Sequence, residues 1–274
     1  QRYMYISTYG KEKINTNIGD PHGVLVLIFL EAPAHLWPQS SDFRHGLSLM
    51  SSSLCAGVVL GDSQTQTALW LTHSTPKFPE KRDQHNFWPK TGEANGQTFM
   101  CVTLQFSDLE NIVAHTFESN IPDDFPQEIK DAALNNGQAP DQNPLVQSLK
   151  VGNKQLKLVA KVTAGDLYVQ LSRIFKSDMA AQTWGRQTRK DKSYCEPNQH
   201  QVKSVIEVKT DLDKWTWCSD HSKWAVTTDN NIHWTCIADM NRAETQYERP
   251  GGALCIQDQD VKASRLPIGQ SRQN

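Results

Sequence analysis

The sequence predicts an α/β protein whose core is built from β-strands. Short apolar runs recur along the chain, from Val24–Leu30 near the start to Trp234–Asp239 near the end. Apolar residues also recur at helical spacing, as at Leu167, Leu171 and Ile174, so helices are expected between the strands. The longest apolar run has seven residues, and a membrane-spanning helix needs about 20, so this run predicts a buried strand.

The strand predictions come from runs of apolar residues or from strict alternation. In one of them apolar residues alternate with Lys157 and Lys161, which predicts one solvent-exposed face. The predicted strands are Tyr3–Ser7, Val24–Leu30, Ala56–Gly61, Ala68–Thr72, Phe99–Phe106, Gln155–Thr163, Ser204–Lys209, Lys223–Thr227 and Trp234–Asp239.

Two helix starts are predicted, one in each half of the chain. Ser107–Glu110 has the pattern of a capping box, and Asp166 precedes the second helical pattern as a capping residue. Between them, the polar loop Asn135–Pro144 predicts a boundary between two domains, residues 1–140 and 141–274. A faint strand–turn–strand repeat, at 57–74 and again at 223–239, suggests that the two halves are duplicates.

Charge and cysteine content restrict the function classes. The 274 residues carry 28 basic and 30 acidic side chains, so a strongly basic nucleic-acid module is excluded at neutral pH. Nine histidines would make the chain cationic near about pH 5, which is compatible with an acidic compartment and a polyanionic partner. The six cysteines include no C-x-x-C pair, which favours disulfides over zinc and a secreted or endolysosomal protein.

His221 and Lys223 form the motif that points most directly to chemistry. On a predicted strand, residues two apart project to the same face, so an imidazole and a cation would lie together. Attack on a phosphodiester needs a nucleophile or proton-transfer group and a cation for the developing negative charge, with no requirement for a metal. The alternative is a histidine beside a lysine on the surface.

Several further motifs accompany this pair, and together they resemble the deoxyribonuclease II family. They are Asp220–Trp224 (D-H-S-K-W), Ala238–Arg242 (A-D-M-N-R), Arg249–Cys255 (R-P-G-G-A-L-C), His73–Pro79 (H-S-T-P-K-F-P) and Gly96–Val102 (G-Q-T-F-M-C-V). The similarity extends from about residue 3 to residue 257, most of the chain.

The resemblance implies a phospholipase D-like fold, in which two similar α/β halves pack into one pseudo-twofold unit. Each half then supplies one H-x-K motif to a shared site. The family resemblance further implies cleavage of DNA at acid pH without metal or cofactor, in lysosomes or after secretion. One histidine would form a covalent phosphohistidine and the other would protonate the leaving oxygen. Pairing into a homodimer is also implied.

The sequence departs from this pattern at the first motif. By the repeat and by the resemblance, the first H-x-K should lie at residues 54–56, where the chain has Leu54, Cys55 and Ala56. Both the imidazole and the ammonium are therefore missing. Loss of a catalytic nucleophile or acid costs orders of magnitude in rate, so the resemblance predicts the fold more firmly than the activity.

The remaining residues could still form an anion-binding cleft. The resemblance places His221 and Lys223 in the second motif, with His73, Asn241 and Trp224 as lining residues that bind the ligand. The alternative is that these are inherited scaffold residues, with Asn241 and Asp239 tying down loops. The tryptophans near the second motif could stack on bases, or they could belong to the core: Trp215, Trp217, Trp224 and Trp234.

The resemblance also bears on the cysteines. It implies a disulfide between Cys236 and Cys255 beside the second motif, closing a loop of 19 residues. Cys195 lacks its usual C-terminal partner, which makes Cys218 a candidate. The expected N-terminal partner of Cys101 is not in the sequence, and Cys55 is expected to be free.

Basic residues concentrate in the middle of the chain, where the default expectation is a solvated face and the alternative is a nucleic-acid track. They are Lys150, Lys154, Lys157, Lys161, Arg186, Arg189, Lys190 and Lys192.

Three functions are compatible with this sequence. The first is a secreted deoxyribonuclease II-like protein that has lost catalysis but keeps a cleft for DNA, phosphate or other polyanions. The second is a working acid endonuclease in which His73 or His45 substitutes for the missing histidine. The third is an interaction module whose cleft has collapsed. Residues 54–56 favour the first.

Overall fold

The structure is a computed structural model. It describes residues 2–7, 10–14, 24–30, 47–51, 56–62, 66–75, 95–108, 145–161, 164–209, 214–249, 251–265 and 268–271. The boundary predicted at residue 140 lies outside these ranges.

The first sheet has seven strands in the order β2-β1-β3-β7-β6-β5-β4. Strands β1, β3 and β7 are mutually parallel neighbours, and the other neighbours in this sheet are antiparallel. The strands are β1 (Arg2–Ser7), β2 (Gly10–Ile14), β3 (Val24–Leu30), β4 (Leu47–Ser51), β5 (Ala56–Asp62), β6 (Thr67–His73) and β7 (Gln97–Gln105).

The second sheet has nine strands, in the order β12-β11-β10-β13-β14-β15-β9-β8 with β16 beside β11. Strands β10 and β11 pair in parallel, and the other described neighbours are antiparallel. The strands are β8 (Leu145–Val151), β9 (Lys154–Lys161), β10 (Met179–Gln182), β11 (Val202–Lys209), β12 (Lys214–Thr216), β13 (Trp224–Thr227), β14 (Trp234–Ala238), β15 (Gly251–Gln257) and β16 (Ile268–Ser271).

The two sheets share one hydrophobic core. Inward-facing residues of β6 and β7, such as Trp70 and Met100, pack in the same cluster as Trp224, Val226 and Ile237 of β13 and β14. This burial of apolar side chains is the main stabilising contribution to the packing of the sheets. It packs the two sheets against each other. The candidate site lies where the start of β7 meets the start of β13.

A helix covers the other face of the second sheet. Helix α1 (Leu167–Phe175) packs Leu171 and Phe175 into a second core cluster with Ala225 and Cys236. The Asp166 side chain accepts a hydrogen bond from the Tyr168 backbone N–H at 2.8 Å, which confirms the predicted cap. The remaining described helices are α2 (Gln259–Arg265) and two short 3₁₀ turns, Trp217–Ser219 and Glu244–Gln246.

The other predicted helix start is described only in part. Helical backbone begins at Phe106, one residue before the predicted Ser107. The Asp108 carboxylate accepts the backbone N–H of Gln105 at 3.2 Å, which is the reciprocal bond of a capping box shifted toward the N-terminus. The rest of the predicted helix, including Glu110, lies outside the described residues.

The predicted solvent-exposed face of β9 is confirmed only at the start of the strand, where Gln155 is exposed and Lys157 half-buried, and it is wrong at Lys161. Lys161 is 0% exposed, and its ammonium donates to the backbone carbonyls of Tyr247 and Arg249, at 2.7 Å each. One face of β9 packs into the shared core, and Val159 packs on the α1 side. A lysine in this alternation is therefore tolerated because carbonyl groups replace its water.

The middle basic residues do not form a continuous free track on β9. Lys154 forms an ion pair with Asp258 at 2.6 Å, and Lys157 donates to the Ser148 hydroxyl at 3.3 Å. With Lys161 buried, these charges are largely engaged within the protein.

The cysteine predictions have mixed outcomes. The disulfide between Cys236 and Cys255 is confirmed, and it joins residues directly opposite each other on β14 and β15. Pairing of Cys195 with Cys218 is wrong, because both are free in the structure, Cys195 being exposed and Cys218 half-buried. Cys101 is a buried free thiol, and Cys55 lies outside the described residues.

Both halves contain the predicted strand–turn–strand unit. Strands β5 and β6 pair antiparallel, as do β13 and β14, and each pair continues into a third antiparallel strand. The twofold relation between the halves stays a prediction. No helix in the described part of the chain combines the length and apolar character that crossing a bilayer requires.

Candidate active site

The site is built where the start of β7 meets the loop before β13. The Gly96 N–H donates to the Ser219 carbonyl at 2.8 Å, and the His221 N–H donates to the Gly96 carbonyl at 2.9 Å. Gly96 and Asp220 thereby form a parallel bridge between the two halves of the chain. These bonds fix the backbone of the second motif against the first sheet.

Asp220 shapes this loop from inside. It is 2% exposed, and its two carboxylate oxygens accept the Ser222 backbone N–H and the Trp215 indole N–H, at 2.8 Å each. His221 and Lys223 therefore lie in the loop immediately before β13, which begins at Trp224. The prediction that they share a strand face is wrong; a carboxylate-centred turn brings them together instead.

Lys223 supplies the cation of the site. Its ammonium donates to the His221 carbonyl at 3.0 Å. Burial lowers its pKa to about 8, with Asp239 and Asp220 opposing that shift and Arg249 adding to it. The group is therefore mostly charged at neutral pH and fully charged in acid.

His221 is half-buried against an aromatic ring. Its ring centroid lies 4.2 Å from that of Trp184, with the planes tilted by 52°. Burial, together with the charges of Lys223 and Arg186, lowers its pKa to about 4. The imidazole is thus neutral at about pH 5 to 7 in the free protein, contrary to the protonation expected from an ordinary histidine.

His73 reaches the same electrostatic environment from the first sheet. It is the last residue of β6, is 2% exposed, and stacks on Phe99 with centroids 5.6 Å apart. Burial lowers its pKa to about 4, and the next cause is the charge of Lys223. The charge of Lys223 therefore acts on both imidazoles, and a shared site for His73, His221 and Lys223 stays a prediction.

Asn241 positions Trp184. Its side-chain oxygen accepts the Trp184 backbone N–H, and its amide nitrogen donates to the Gln187 side chain, both at 3.2 Å. These bonds within the protein support the loop-holding alternative, and direct ligand binding by Asn241 stays a prediction.

Asp239 lies beside the lysine at the end of β14. Its carboxylate accepts the Gly252 N–H at 2.9 Å, and burial nevertheless raises its pKa to about 7. A Cβ at Gly251 would lie 2.4 Å from the Met240 sulfur and 2.9 Å from this carboxylate. The glycine therefore allows β15 to approach the loop that carries Asp239.

The prediction of Trp224 as a ligand-binding residue is wrong. Its ring is 1% exposed and belongs to the shared core, because position 224 points inward from β13. Trp234 is also buried, stacked on Phe175, whereas Trp217 lies under the Lys190 ammonium at 4.2 Å. Trp215 donates to Asp220, and Trp184 contacts His221 itself. Sequence reasoning missed Trp184, because its position just after β10 gives no period or motif to single it out.

Of the three residues at which the first H-x-K motif is expected, the structure describes only Ala56. Leu54 and Cys55 lie outside the described residues, and Ala56 begins β5. Gly57 pairs with Thr72, so β5 begins beside the end of β6 that carries His73. Ala56, the last residue of the expected first H-x-K, therefore lies at the strand end next to His73.

Comparison with known proteins agrees with this architecture. The deoxyribonuclease II family model matches residues 39–268. The chain is 32% identical to plancitoxin-1 of Acanthaster planci over 216 residues, covering 71% of this chain and 58% of that protein. It is 30% identical to cell-death-related nuclease 7 of Caenorhabditis elegans, covering 75% and 59%, and 30% identical to deoxyribonuclease-2-alpha of Bos taurus, covering 80% and 63%.

The chain spans less than two thirds of the length of these relatives. The family match nevertheless includes strands β4 to β7 of the first sheet, strands β8 to β15 of the second, and His73, His221 and Lys223. With that extent of similarity and the α/β, phospholipase D-like fold, the chain belongs to the deoxyribonuclease II family.

Proposed function

We propose that this chain is a secreted or endolysosomal deoxyribonuclease II-like protein that binds DNA or other polyanions and has lost, or nearly lost, catalysis. Membership of the family and the names of its relatives as nucleases support the ligand class. The disulfide between Cys236 and Cys255 supports an oxidising compartment. The assembly that the family resemblance implies is a homodimer.

The observation that carries the proposal is an asymmetry between the two motif positions. The second motif has His221 and Lys223 at the bridge, whereas the first has Leu54 and Ala56. In the two-histidine mechanism one imidazole attacks phosphorus and the other gives its proton to the leaving oxygen. Leucine can do neither, so cleavage should be slower by orders of magnitude.

The retained half of the site is suited to binding. Lys223 offers a fixed ammonium, held to the His221 carbonyl at 3.0 Å, and a lysine is an adequate point charge for phosphate. The bridge through Gly96 keeps the two sheets together around it.

A second candidate function, an active acid endonuclease, is favoured by one observation. His73 lies in the field of Lys223 and has a pKa of about 4, so two neutral imidazoles share the site at about pH 5. Neutral His221 would then attack phosphorus, and His73 would first have to take up a proton from the acidic solvent, against its pKa of about 4, in order to give that proton to the leaving oxygen in place of the missing histidine. His45, the other substitute expected from sequence, lies outside the described residues.

The test is cleavage of supercoiled plasmid at about pH 5 with a chelator present, combined with gel-shift binding on the same samples. We expect binding without cleavage in the wild type, and weaker binding in Lys223→Ala. The matched control is His200→Ala, since His200 is an exposed histidine outside the cleft. Cleavage that disappears in His221→Ala but persists in His200→Ala would establish the endonuclease instead, and neither binding nor cleavage would overturn both.

A further inference from the structure

Several buried polar atoms at the bridge lack a protein partner. Within the part of the chain that the structure describes, Gln97 Nε2, Trp184 Nε1, His221 Nε2 and Ser222 Oγ make no hydrogen bond and are shielded from solvent. Gln97 and Ser222 are 2% and 3% exposed. A buried polar group without a partner destabilises a fold. Several such groups around His221 therefore indicate a bound ligand that supplies the missing hydrogen bonds.

The orientation of Gln97 is set by its neighbours. The Thr98 backbone N–H donates to the Ser74 hydroxyl at 2.9 Å, and that hydroxyl donates to Gln97 Oε1 at 2.8 Å. The oxygen end of the amide is therefore committed to Ser74, which leaves the NH₂ end as the free donor. Gln97 directly follows Gly96, whose carbonyl holds the His221 N–H.

Trp184 is also held in place. Asn241 accepts its backbone N–H at 3.2 Å, and its ring lies against that of His221. An indole N–H can only donate. An occupant that satisfies both Trp184 and Gln97 must therefore present hydrogen-bond acceptors, and the nearby Lys223 ammonium favours acceptors that carry negative charge.

We propose that Gln97 and Trp184 are phosphate-binding residues of the cleft, each donating a side-chain N–H to a phosphate oxygen beside Lys223. This inference rests on the proposed polyanion binding and deepens it. The two donors come from different halves of the chain and belong to neither H-x-K position. They add hydrogen bonds without adding charge, so binding through them does not need the missing first motif.

The experiment measures binding of a short single-stranded oligonucleotide and of inorganic phosphate, together with the melting temperature of each variant with and without phosphate. Trp184→Phe keeps a ring against His221 and removes only the donor. Gln97→Glu keeps an acceptor for Ser74 and replaces the NH₂ group with oxygen. Thr235→Val is the matched control, because its hydroxyl is likewise buried without a partner among the described residues, but on β14 within the sheet.

We expect Trp184→Phe and Gln97→Glu each to weaken both ligands about tenfold or more, and Thr235→Val to leave affinity unchanged. Removing an unpartnered donor should leave the melting temperature of Trp184→Phe without phosphate equal to or above the wild-type value. Wild-type affinity in both variants overturns the inference, and so does affinity lost in step with a lowered melting temperature. If the wild type binds phosphate but not the oligonucleotide, the proposed function fails alone; if phosphate does not raise its melting temperature, the phosphate site itself is refuted.

Discussion

At the scale of single residues, the charge of the cleft depends on Asp239. Its carboxylate is close enough to Lys223 and Arg249 for their charges to act on it, and burial raises its pKa to about 7. Above that pH the carboxylate offsets the lysine charge, and below it the carboxyl is neutral. The two histidines have pKa values of about 4, so they stay neutral while Asp239 titrates.

This gives the first prediction, which concerns pH. Anion binding further disfavours an ionised Asp239, so binding is accompanied by proton uptake and affinity for DNA should rise as pH falls through about 7. Asp239→Asn should remove the step near pH 7 and leave the loss of affinity at higher pH that follows from deprotonation of Lys223, whose pKa is about 8 in the wild type. Fluorescence titration of a labelled oligonucleotide at constant ionic strength measures both.

His221→Ala serves as the control for this profile. Because His221 is neutral across the window, its removal can lower affinity but should leave the step near pH 7 in place. A step that vanishes in His221→Ala and persists in Asp239→Asn would assign the titration to the histidine and contradict the prediction.

Arg242 is the second residue with a strong expectation. It is 2% exposed, donates to the Asp166 carboxylate at 2.9 Å, and also bonds the Lys192 carbonyl and the Ser204 hydroxyl. Arg242→Met would leave the half-buried Asp166 carboxylate, the Lys192 carbonyl and the Ser204 hydroxyl without this donor. Breaking a buried pair from one side should lower the free energy of unfolding by about 3–5 kcal/mol, measured by urea denaturation.

The matched control is Arg189→Met. Arg189 pairs with Glu244 at 3.7 Å, but both side chains are more than 60% exposed, so solvent screens the pair and the change should stay within about 0.5 kcal/mol. Equal effects of the two substitutions would show that the Arg242 network does not stabilise the fold.

At the scale of elements, β14 and β15 are the strands on either side of the segment that carries Asp239 and Asn241. Cys236 and Cys255 are directly opposite each other on these strands and are covalently joined, closing 19 residues that include Asp239 and Asn241. The enclosed loop therefore starts and ends at neighbouring points of one sheet, which restricts the conformations open to it in the unfolded chain.

The double substitution Cys236→Ser with Cys255→Ser should lower the free energy of unfolding by about 3 kcal/mol, because the unfolded chain regains the entropy of that loop. Chemical denaturation under non-reducing conditions measures it. Cys195→Ser is the control, since Cys195 is an exposed free thiol. A loss smaller than that of the control would mean that the crosslink does not stabilise the folded state.

The sequence predicts a strand well where the composition of the strand itself reflects its burial, and poorly where contacts with distant residues decide the backbone. The apolar runs Val24–Leu30 and Trp234–Ala238 both coincide with strands, and in the second every residue is buried, so burial on the sheet explains its composition. Strand β15 begins with two glycines, which weaken a local strand pattern; it forms because Gly251 lets it pack against Met240. The loop at His221 follows the carboxylate of Asp220 rather than any strand period.

At the scale of the whole molecule, the site arises from the contact between the two sheets. Sequence motifs could identify His221, Lys223 and His73, since each lies in a short local pattern. Trp184 lies in no such pattern, and Gln97 lies in the G-Q-T-F-M-C-V motif without a predicted role, because the roles of both depend on the bridge from Gly96 to His221, across more than a hundred residues of chain. Long-range pairing of this kind has no local signal.

The contact between the two sheets also determines whether restoring the first H-x-K motif returns activity. Strand β5 begins at Ala56, and the pairing of Gly57 with Thr72 places that start beside the end of β6 that carries His73. Leu54→His with Ala56→Lys would therefore return an imidazole and an ammonium to the edge of the cleft that faces the second motif. The lysine would add charge stabilisation for the phosphorane, and the histidine would complete the acid–nucleophile pair.

We expect this double variant to cleave supercoiled plasmid at about pH 5 in the presence of a chelator, at least about a hundredfold faster than the wild-type chain. Adding His221→Ala to it should abolish the gain, because the two imidazoles act as a unit. Leu54→Gln with Ala56→Lys is the matched control, which adds the charge and a polar side chain without an imidazole. A double variant that retains the wild-type melting temperature and DNA affinity but gains no cleavage would show that the first half has lost more than its H-x-K motif.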